Sequence, residues 1–203
     1  MHTNDNHEKE VKFFLTDFNE ISTRLFAAGA ILQKERVHEY NYRFDTSNQK
    51  LRNHHQVLRL RQDKQAHLTF KGSSDFSAGI TDRQELEITV SDFESTKKIL
   101  EALGFMVFMI YEKYRTTYRF RECEIVLDEL PFGSFMEIEG FSADSIRSAA
   151  EELGLNWEKR ITLSYLELFH TLKVKKNLQM NHILFESFEH TSFVESDFFP
   201  EAN

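Results

Sequence analysis

Hydrophobic and polar residues alternate over much of the chain, and this two-residue period is typical of β-strands. The alternation predicts eight strands, at residues 8–14, 38–45, 56–62, 66–72, 83–90, 109–121, 123–129 and 134–141. Apolar residues recur at helical spacing in four other segments, at residues 17–29, 92–103, 143–153 and 162–176. The pattern therefore predicts an extended sheet accompanied by amphipathic helices.

The ends of the predicted helices carry sequence signals of their own. Ser91 and Glu94 form a capping-box pattern at the start of the second helix, and Ser142 is a candidate N-cap of the third. Glycine follows the first three helices, at Gly29, Gly104 and Gly154. Glycine tolerates the left-handed conformation that commonly ends a helix, so these positions fix three helix ends.

The polar faces of the predicted strands carry charges that are sorted by strand. The acidic strands are the first, fifth and eighth, with Glu8, Glu10, Glu85, Glu87, Glu137 and Glu139. The basic strands are the third and sixth, with Arg59, Arg61, Lys113, Arg115, Arg119 and Arg121. A sheet with one solvated face is the default explanation for any single strand, but such a face tends to mix its signs.

The sorted charges favour a closed sheet over an open one. Eight strands are enough to form a ring, and closure removes the exposed edges of the sheet. With the charged faces turned inward, the predicted helices can cover the apolar outer faces. The predicted fold class is α+β, with a closed eight-stranded antiparallel β-barrel that forms a tunnel with a charged lumen, and amphipathic helices packed outside.

A lumen of this kind suits a metal–polyphosphate complex. Arg and Lys bind phosphate oxygens, and Arg does so with two parallel donors. Clustered carboxylates suit hard cations such as Mg²⁺ or Mn²⁺. Neither a Walker A motif nor a GxGxxG motif occurs in the sequence, and no Cys/His spacing indicates a zinc site.

Composition narrows the classes of partner. The formal net charge of −8 argues against general nucleic-acid binding. The single cysteine allows no internal disulfide, which fits a reducing compartment. The polar first residues do not form a signal peptide, and no run of about 18 apolar residues predicts a membrane span. We therefore expect a cytoplasmic protein with a small-molecule ligand and neither nucleic-acid nor membrane partners.

Seven segments, in order along the chain, carry a resemblance to a known family. They are EKEVK (8–12), YRFDT (42–46), VLRLRQ (57–62), LTFKG (68–72), RQELEI (83–88), EKYRTTYRF (112–120) and IVLDELPFGSFMEIEG (125–140). The chain is similar to the CYTH, or triphosphate tunnel metalloenzyme, superfamily, and most of all to its class IV adenylate cyclase-like branch. The resemblance covers residues 8–168, and its strength lies in the order and strand phase of the segments, because Glu-x-Glu-x-Lys alone is common.

The resemblance implies roles for the charged residues of the lumen. The metal-binding carboxylates would be Glu8, Glu10, Asp128, Glu137 and Glu139, holding Mg²⁺ or Mn²⁺. The triphosphate would be bound by Lys12, Arg59, Arg61, Lys71, Lys113, Arg115 and Arg119. Glu8, Glu10, Lys12, Glu85 and Glu87 would take part in catalysis, the last two as second metal or water-positioning groups. Arg43, Asp45, Arg119 and Arg121 stay open between a functional role and a structural one as ion pairs at the tunnel rim.

Two reactions fit the family. Attack of the ribose 3′-hydroxyl of ATP on its α-phosphorus gives cyclic AMP and pyrophosphate, and overall similarity leans toward this adenylate cyclase reaction. Attack of water on the terminal phosphorus instead makes the protein a triphosphatase, acting on tripolyphosphate, thiamine triphosphate or a nucleoside triphosphate. Two further hypotheses are a non-catalytic polyphosphate or nucleotide binder, and a carrier of apolar ligands with an inverted barrel.

The sequence divides into a tunnel domain at residues 1–176 and an acidic, Phe-rich tail at residues 177–203. The tail shows no match to the family pattern, and its composition fits docking on the barrel, pairing with another chain or partial disorder. Homodimerisation is compatible with a small enzyme of this kind, but no pattern in the sequence specifies an interface.

Overall fold

The computed structural model describes residues 6–198, so the first five residues and the last five residues of the predicted tail lie outside it. Its eight strands form one antiparallel sheet in the order β1-β5-β4-β3-β2-β6-β7-β8, and β8 pairs with β1 to close the ring. The strands are β1 (His7–Leu15), β2 (Ile31–Asp45), β3 (Val57–Gln62), β4 (Ala66–Lys71), β5 (Thr81–Val90), β6 (Met106–Phe120), β7 (Cys123–Leu130) and β8 (Gly133–Glu139). The predicted closed eight-stranded sheet is confirmed.

Strand β2 begins seven residues before the predicted start at residue 38. The segment from Ile31 to Arg36 is exposed and pairs only with β6, while β3 joins β2 from Tyr40 onward. An extension with no buried face is under no pressure to alternate hydrophobic and polar residues. For that reason the two-residue period marks only the part of β2 that lies within the closed sheet.

Five helices accompany the sheet. They are α1 (Phe18–Ala27), the short α2 (Lys50–Asn53), α3 (Phe93–Ala102), α4 (Ala143–Glu152) and α5 (Tyr165–Lys175), of which only α2 was not predicted. Ser142 caps α4 as expected, but α3 is capped by Asp92, which accepts a hydrogen bond from the N–H of Ser95, rather than by Ser91. None of the described helices is long and apolar enough to cross a membrane.

The apolar outer faces of the strands are covered by these helices. Val11 on β1 packs with Leu25 of α1 and Ile146 of α4, and all three are fully buried. Leu60 of β3 packs with Leu100 of α3. Because alternate side chains point to opposite faces of a strand, burying these apolar residues outside turns the charged residues between them into the lumen.

The segment after α5 packs on the barrel. Phe188 and Phe198 join an aromatic cluster with Phe132, Phe135 and Phe169 at the β7–β8 turn and α5. Ile183 makes a parallel bridge to Tyr111 of β6. Of the three expectations for the tail, docking on the barrel describes residues 177–198, while Phe199 and the residues after it lie outside the described range.

Candidate active site

The lumen holds a cluster of three carboxylates contributed by two neighbouring strands. Glu8 and Glu10 are two residues apart on β1 and therefore share its inner face, and Glu10 lies opposite Glu139 of β8. One oxygen from each of the three carboxylates lies within 4.8 Å of the others. The β1–β8 register is thus what brings together residues that are about 130 positions apart in the chain.

The three carboxylates differ in how their charge is balanced. Burial alone would raise the pKa of Glu8, but Lys71 and Arg83 hold it well below its usual range. Burial, together with the charges of Glu8, Glu10 and Glu137, raises the pKa of Glu139 well above its usual range. Among the described residues, no cation lies within salt-bridge distance of Glu139. The cluster therefore carries more negative charge than the adjacent side chains neutralise.

This donor set fits a hard divalent cation. Mg²⁺ and Mn²⁺ take oxygen ligands, and three converging carboxylates supply them while the cation relieves their mutual repulsion. Of the five predicted metal ligands, the structure brings Glu8, Glu10 and Glu139 together in this way. The other two, Asp128 and Glu137, are not part of this three-carboxylate cluster, and each contacts cations of the lumen.

Asp128 is fully buried and surrounded by donors. Arg115 donates two hydrogen bonds to it at 2.7 and 2.6 Å, Lys113 donates one at 2.8 Å, and the hydroxyl of Tyr165 donates another at 2.9 Å. Glu137 accepts from Arg115 at 2.6 Å and lies 3.4 Å from Lys12. Both carboxylates hold the predicted phosphate-binding cations in place, and their predicted role as metal ligands stays a prediction.

Glu85 and Glu87 lie on the inner face of β5, also next to cations. Lys71 lies 2.9 Å from Glu85 and donates to both oxygens of Glu8 at 2.6 Å, so it bridges β5 to the carboxylate cluster. Glu87 accepts from Arg61 at 3.0 Å and from Arg59 at 3.4 Å. The predicted role of both glutamates as metal or water-positioning groups remains a prediction.

Five of the seven predicted phosphate-binding cations converge on one cavity. Lys12, Arg59, Lys71, Lys113 and Arg115 line it. Arg61 lies one layer away on β3 and is paired with Glu87. Arg119 is exposed and lies opposite Ile31. This part of β6 pairs with the first residues of β2, which β3 does not reach. Strand phase and the family resemblance both placed Arg119 in the lumen, but its position is exposed and it does not line this cavity.

Several lumen residues were not singled out by the sequence. Arg83 and Glu39 share the inner phase of their strands with Glu85 and Asn41, so the same alternation identifies them in retrospect. Arg83 donates to Glu8 at 2.9 Å. Tyr111 and Tyr165 also line the cavity, and their hydroxyl groups gave no signal because aromatic residues on strands and helices are usually core.

Arg43 is a half-buried cation of the same cavity, and among the described residues it has no acidic partner. Among residues 6–198 no carboxylate lies within 4 Å of its guanidinium, and its Nε makes no hydrogen bond. Burial lowers the pKa of Arg43 to about 10, with Arg59 and Arg83 adding to the effect. A guanidinium that is partly withdrawn from water without a counter-ion is costly, so this position favours an anionic ligand.

Glu39 provides a test of how the lumen charges stabilise the fold. It lies 3.5 Å from Arg61 and 3.7 Å from Lys113. Burial would raise the pKa of Glu39, but Lys113, Arg115 and Arg61 lower it from 4.5 to about 2. Since the folded-state pKa is the lower one, this stabilisation is present above pH 4.5 and is lost as the pH falls through about 2.

We expect Glu39→Gln to cost about 2 kcal/mol of unfolding free energy at pH 7, because it leaves buried cations less well balanced. The difference from wild type should shrink steadily below pH 4.5. Urea denaturation at a series of pH values measures it, with Glu152→Gln, which removes an exposed partner of Arg121, as the matched control. A difference that does not change with pH would contradict this account.

Comparison with known proteins adds a family and a set of similar folds. A family model described as the CYTH domain matches residues 6–167. A protein of Methanocaldococcus jannaschii, named "Putative adenylate cyclase MJ0240", is 27% identical over 172 residues, which is 79% of this chain and 97% of that protein.

Solved structures with a similar fold include the following two. One is a protein from Vibrio parahaemolyticus described as a "putative adenylate cyclase", with a TM-score of 0.71 and 19% identity over 80% of this chain and 98% of its own. The other, from Hippeastrum, is described as a "putative adenylyl cyclase" with a dominant triphosphatase activity. Its TM-score is 0.61 and its identity 18%, over 81% of this chain and 95% of its own.

Proposed function

The chain belongs to the CYTH domain family, and from that membership we propose that it is a metal-dependent enzyme that binds a triphosphate in its tunnel and cleaves it with water. One observation carries the proposal. Three converging carboxylates, Glu8, Glu10 and Glu139, adjoin a cavity lined by the cations Arg43, Arg59, Lys71, Arg83, Lys113 and Arg115. Carboxylates for a hard cation and guanidinium groups for phosphate oxygens are the two halves of a metal–triphosphate site.

The carboxylate cluster would hold Mg²⁺ or Mn²⁺. When bound there, the cation would neutralise charge on the phosphate oxygens and lower the pKa of a coordinated water. The chain's own contribution is to hold Glu8, Glu10 and Glu139 within 4.8 Å of one another on two hydrogen-bonded strands. Such a rigid base lets the ligand oxygens converge without reorganisation during the reaction.

The cations would fix the triphosphate and balance the charge that develops on it. Phosphoryl transfer depends on in-line positioning and charge neutralisation more than on covalent help from the protein. Asp128 orients Lys113 and Arg115, and Glu87 orients Arg59 and Arg61. Both carboxylates keep rotatable cationic side chains in fixed positions, and this preorganisation lowers the entropy cost of binding.

In the proposed reaction, the oxygen of water attacks the terminal phosphorus, and the bond from that phosphorus to the bridging oxygen breaks. One water proton leaves as orthophosphate forms, and the diphosphate departs with its charge balanced by the cations. This reaction requires only the metal and phosphate sites just described. Cyclisation requires, in addition, a ribose hydroxyl held in line with the α-phosphorus.

Cyclisation of ATP is the second candidate, and it is favoured by the adenylate cyclase name of the relative from Methanocaldococcus jannaschii. The Hippeastrum protein of the same fold carries a cyclase name together with a described triphosphatase activity. An adenylate cyclase name for a protein of this fold therefore does not decide whether water or a ribose hydroxyl is the nucleophile. The same metal and phosphate groups serve either nucleophile.

The test is a product assay with ¹⁸O-labelled water. The purified protein is given ATP or tripolyphosphate, each with Mg²⁺, with Mn²⁺ or with chelator, and products are followed by ³¹P NMR and mass spectrometry. Hydrolysis puts one ¹⁸O atom into each orthophosphate released and produces no cyclic AMP. Cyclic AMP with unlabelled pyrophosphate would show that the reaction is cyclisation and not hydrolysis. The absence of any metal-dependent product would overturn the proposed function.

A further inference from the structure

The wall of the active-site cavity includes a residue from outside the family match. The CYTH match ends at residue 167, but Ile183 lines the same cavity as Arg59, Lys113 and Arg115. Ile183 is 1% exposed and packs in a cluster with Met109 and Tyr111 of β6. The segment after α5 therefore takes part in the site as well as in the core.

Backbone hydrogen bonds fix this segment to a free edge of β6. Strand β7 pairs with β6 only from Tyr114 onward, so the preceding half of β6 has β2 on one side and none of the eight strands of residues 6–198 on the other. Residues 182–185 occupy that side. The N–H of Ile183 donates to the carbonyl of Ile110 at 2.9 Å, and the N–H of Glu112 donates to the carbonyl of Ile183 at 3.0 Å.

Side chains secure the same contact on both sides of Ile183. The N–H of Ile110 donates to Nδ1 of His182 at 3.2 Å, and the N–H of Phe185 donates to the carboxylate of Glu112 at 2.7 Å. Farther along, Phe188 and Phe198 anchor the chain in the aromatic cluster around Phe132. An edge paired and anchored in this way holds Ile183 in one position.

The wall that Ile183 completes is apolar, in contrast to the rest of the cavity. It consists of Val57, Met109, Leu166 and Ile183. None of these side chains can donate a hydrogen bond to a phosphate oxygen. Tyr111, next to Ile183 in the bridge, has its hydroxyl 3.4 Å from Arg59, so the apolar wall adjoins the phosphate-binding cations directly.

We propose that Ile183 is a specificity-determining residue, which limits the size of the organic group attached to the triphosphate. The proposal rests on the function proposed above. The phosphates occupy the cationic side of the cavity, and any group attached to them meets the wall formed by Val57, Met109, Leu166 and Ile183. Because residues 182–185 are held by four hydrogen bonds, the wall does not yield to a larger group.

The experiment compares ATP with tripolyphosphate in two variants of opposite size. Ile183→Ala is expected to raise the ratio of kcat/KM for ATP to that for tripolyphosphate by about fivefold or more, since a few methylene groups decide fit in an apolar pocket. Ile183→Phe is expected to lower the same ratio by a similar factor. Tripolyphosphate, which has no organic group, should react within about twofold of wild type in both variants.

Leu178→Ala is the matched control, because Leu178 belongs to the same segment, packs against the same apolar cluster and does not line the cavity. Its ratio should equal that of wild type. Thermal melting shows that each variant is folded, and Ile183→Val, which removes one methyl group, gives a smaller shift in the direction of Ile183→Ala if that variant does not fold.

Dissociation constants for ATP and tripolyphosphate, measured by calorimetry alongside turnover, separate this proposal from the proposed function. A wild-type protein that binds both ligands and cleaves neither would overturn the function, while the ratio of the two affinities would still test Ile183. A ratio that stays within twofold of wild type in the Ala and Phe variants, or that moves in the reverse sense, would overturn the role of Ile183.

Discussion

Replacing Glu139 by glutamine is expected to lower metal-dependent turnover by more than about 100-fold, since even the loss of a group that only supports a metal ligand costs 10- to 100-fold. The same substitution should raise the melting temperature of the metal-free protein. Glu139 lies within 4.8 Å of Glu8 and Glu10 and has no cation within salt-bridge distance among the described residues. A neutral amide removes one of three mutually repelling charges and can donate to the two carboxylates that remain.

The pH dependence of this stabilisation has a definite sign. Burial and the neighbouring carboxylates raise the pKa of Glu139 well above its ordinary value of 4.5. A group whose folded-state pKa is raised contributes stability at low pH, and that contribution is lost as the pH rises through the raised pKa. The gain in stability from Glu139→Gln should therefore be small below pH 4.5 and grow with pH.

Denaturation and turnover, measured on the same metal-free and metal-loaded samples, test the expected gain in stability and the expected loss of turnover. Glu122→Gln, in the exposed turn between β6 and β7, is the matched control and should change neither quantity. A Glu139→Gln protein that is less stable than wild type at pH 7 without metal would show that the three carboxylates do not repel one another. Turnover within tenfold of wild type would remove Glu139 from the metal site.

Arg43→Met is expected to raise the KM for a triphosphate, or its dissociation constant, by about 10- to 100-fold, because a hydrogen bond to a charged group contributes about 1.5–3 kcal/mol. The variant should also make the ligand-free protein more stable. Arg43 is half-buried without an acidic partner among residues 6–198, and methionine fills similar space without the cost of an unbalanced charge.

Arg119→Met is the matched control for this prediction. Arg119 shares the basic strand pattern of the predicted phosphate-binding residues, but it is exposed and outside the cavity. Its replacement should leave both the stability and the affinity near those of wild type. Calorimetric titration with tripolyphosphate and thermal melting measure the two quantities. An equal loss of affinity in both variants would mean that the tunnel reaches the exposed first part of β2, residues 31–36.

Glu139→Gln and Arg43→Met are both expected to stabilise the ligand-free protein and to weaken its function. One property of the lumen explains both effects. Nearly every other charge in it is already paired, as in the contacts of Asp128 with Lys113 and Arg115. The excess negative charge lies at Glu139 and the excess positive charge at Arg43. The proposed metal–triphosphate complex would supply the missing partner to each, so binding it would convert two destabilising features into favourable contacts.

Strand phase carried most of the information about the site. A two-residue period places Glu8 and Glu10 on one face of β1, and closure of the sheet turns that face inward whatever the details of packing. The period does not give register. The pairing of β8 with β1 puts Glu139 opposite Glu10. The pairing of β7 with β6 puts Asp128 opposite Arg115. Neither pairing can be read from the alternation of residues along one strand.

Other features depend on where an element ends or on contacts distant in sequence. Arg119 has the right phase but lies beyond the closed part of the sheet, and no local pattern marks that limit. The N-cap of α3 is Asp92 and not the predicted Ser91. Ser and Asp are both good N-cap residues, so the sequence does not choose between them. Ile183 reaches the cavity only because β6 has a free edge, which is a property of the whole ring.

An anomalous-scattering map of crystals grown with Mn²⁺ and a non-hydrolysable triphosphate tests the metal and phosphate sites together. We expect a manganese peak bonded to carboxylate oxygens of Glu8, Glu10 and Glu139, with phosphate oxygens facing Arg43 and Arg59. A peak at Asp128, or no peak in the lumen with the triphosphate bound, would contradict it.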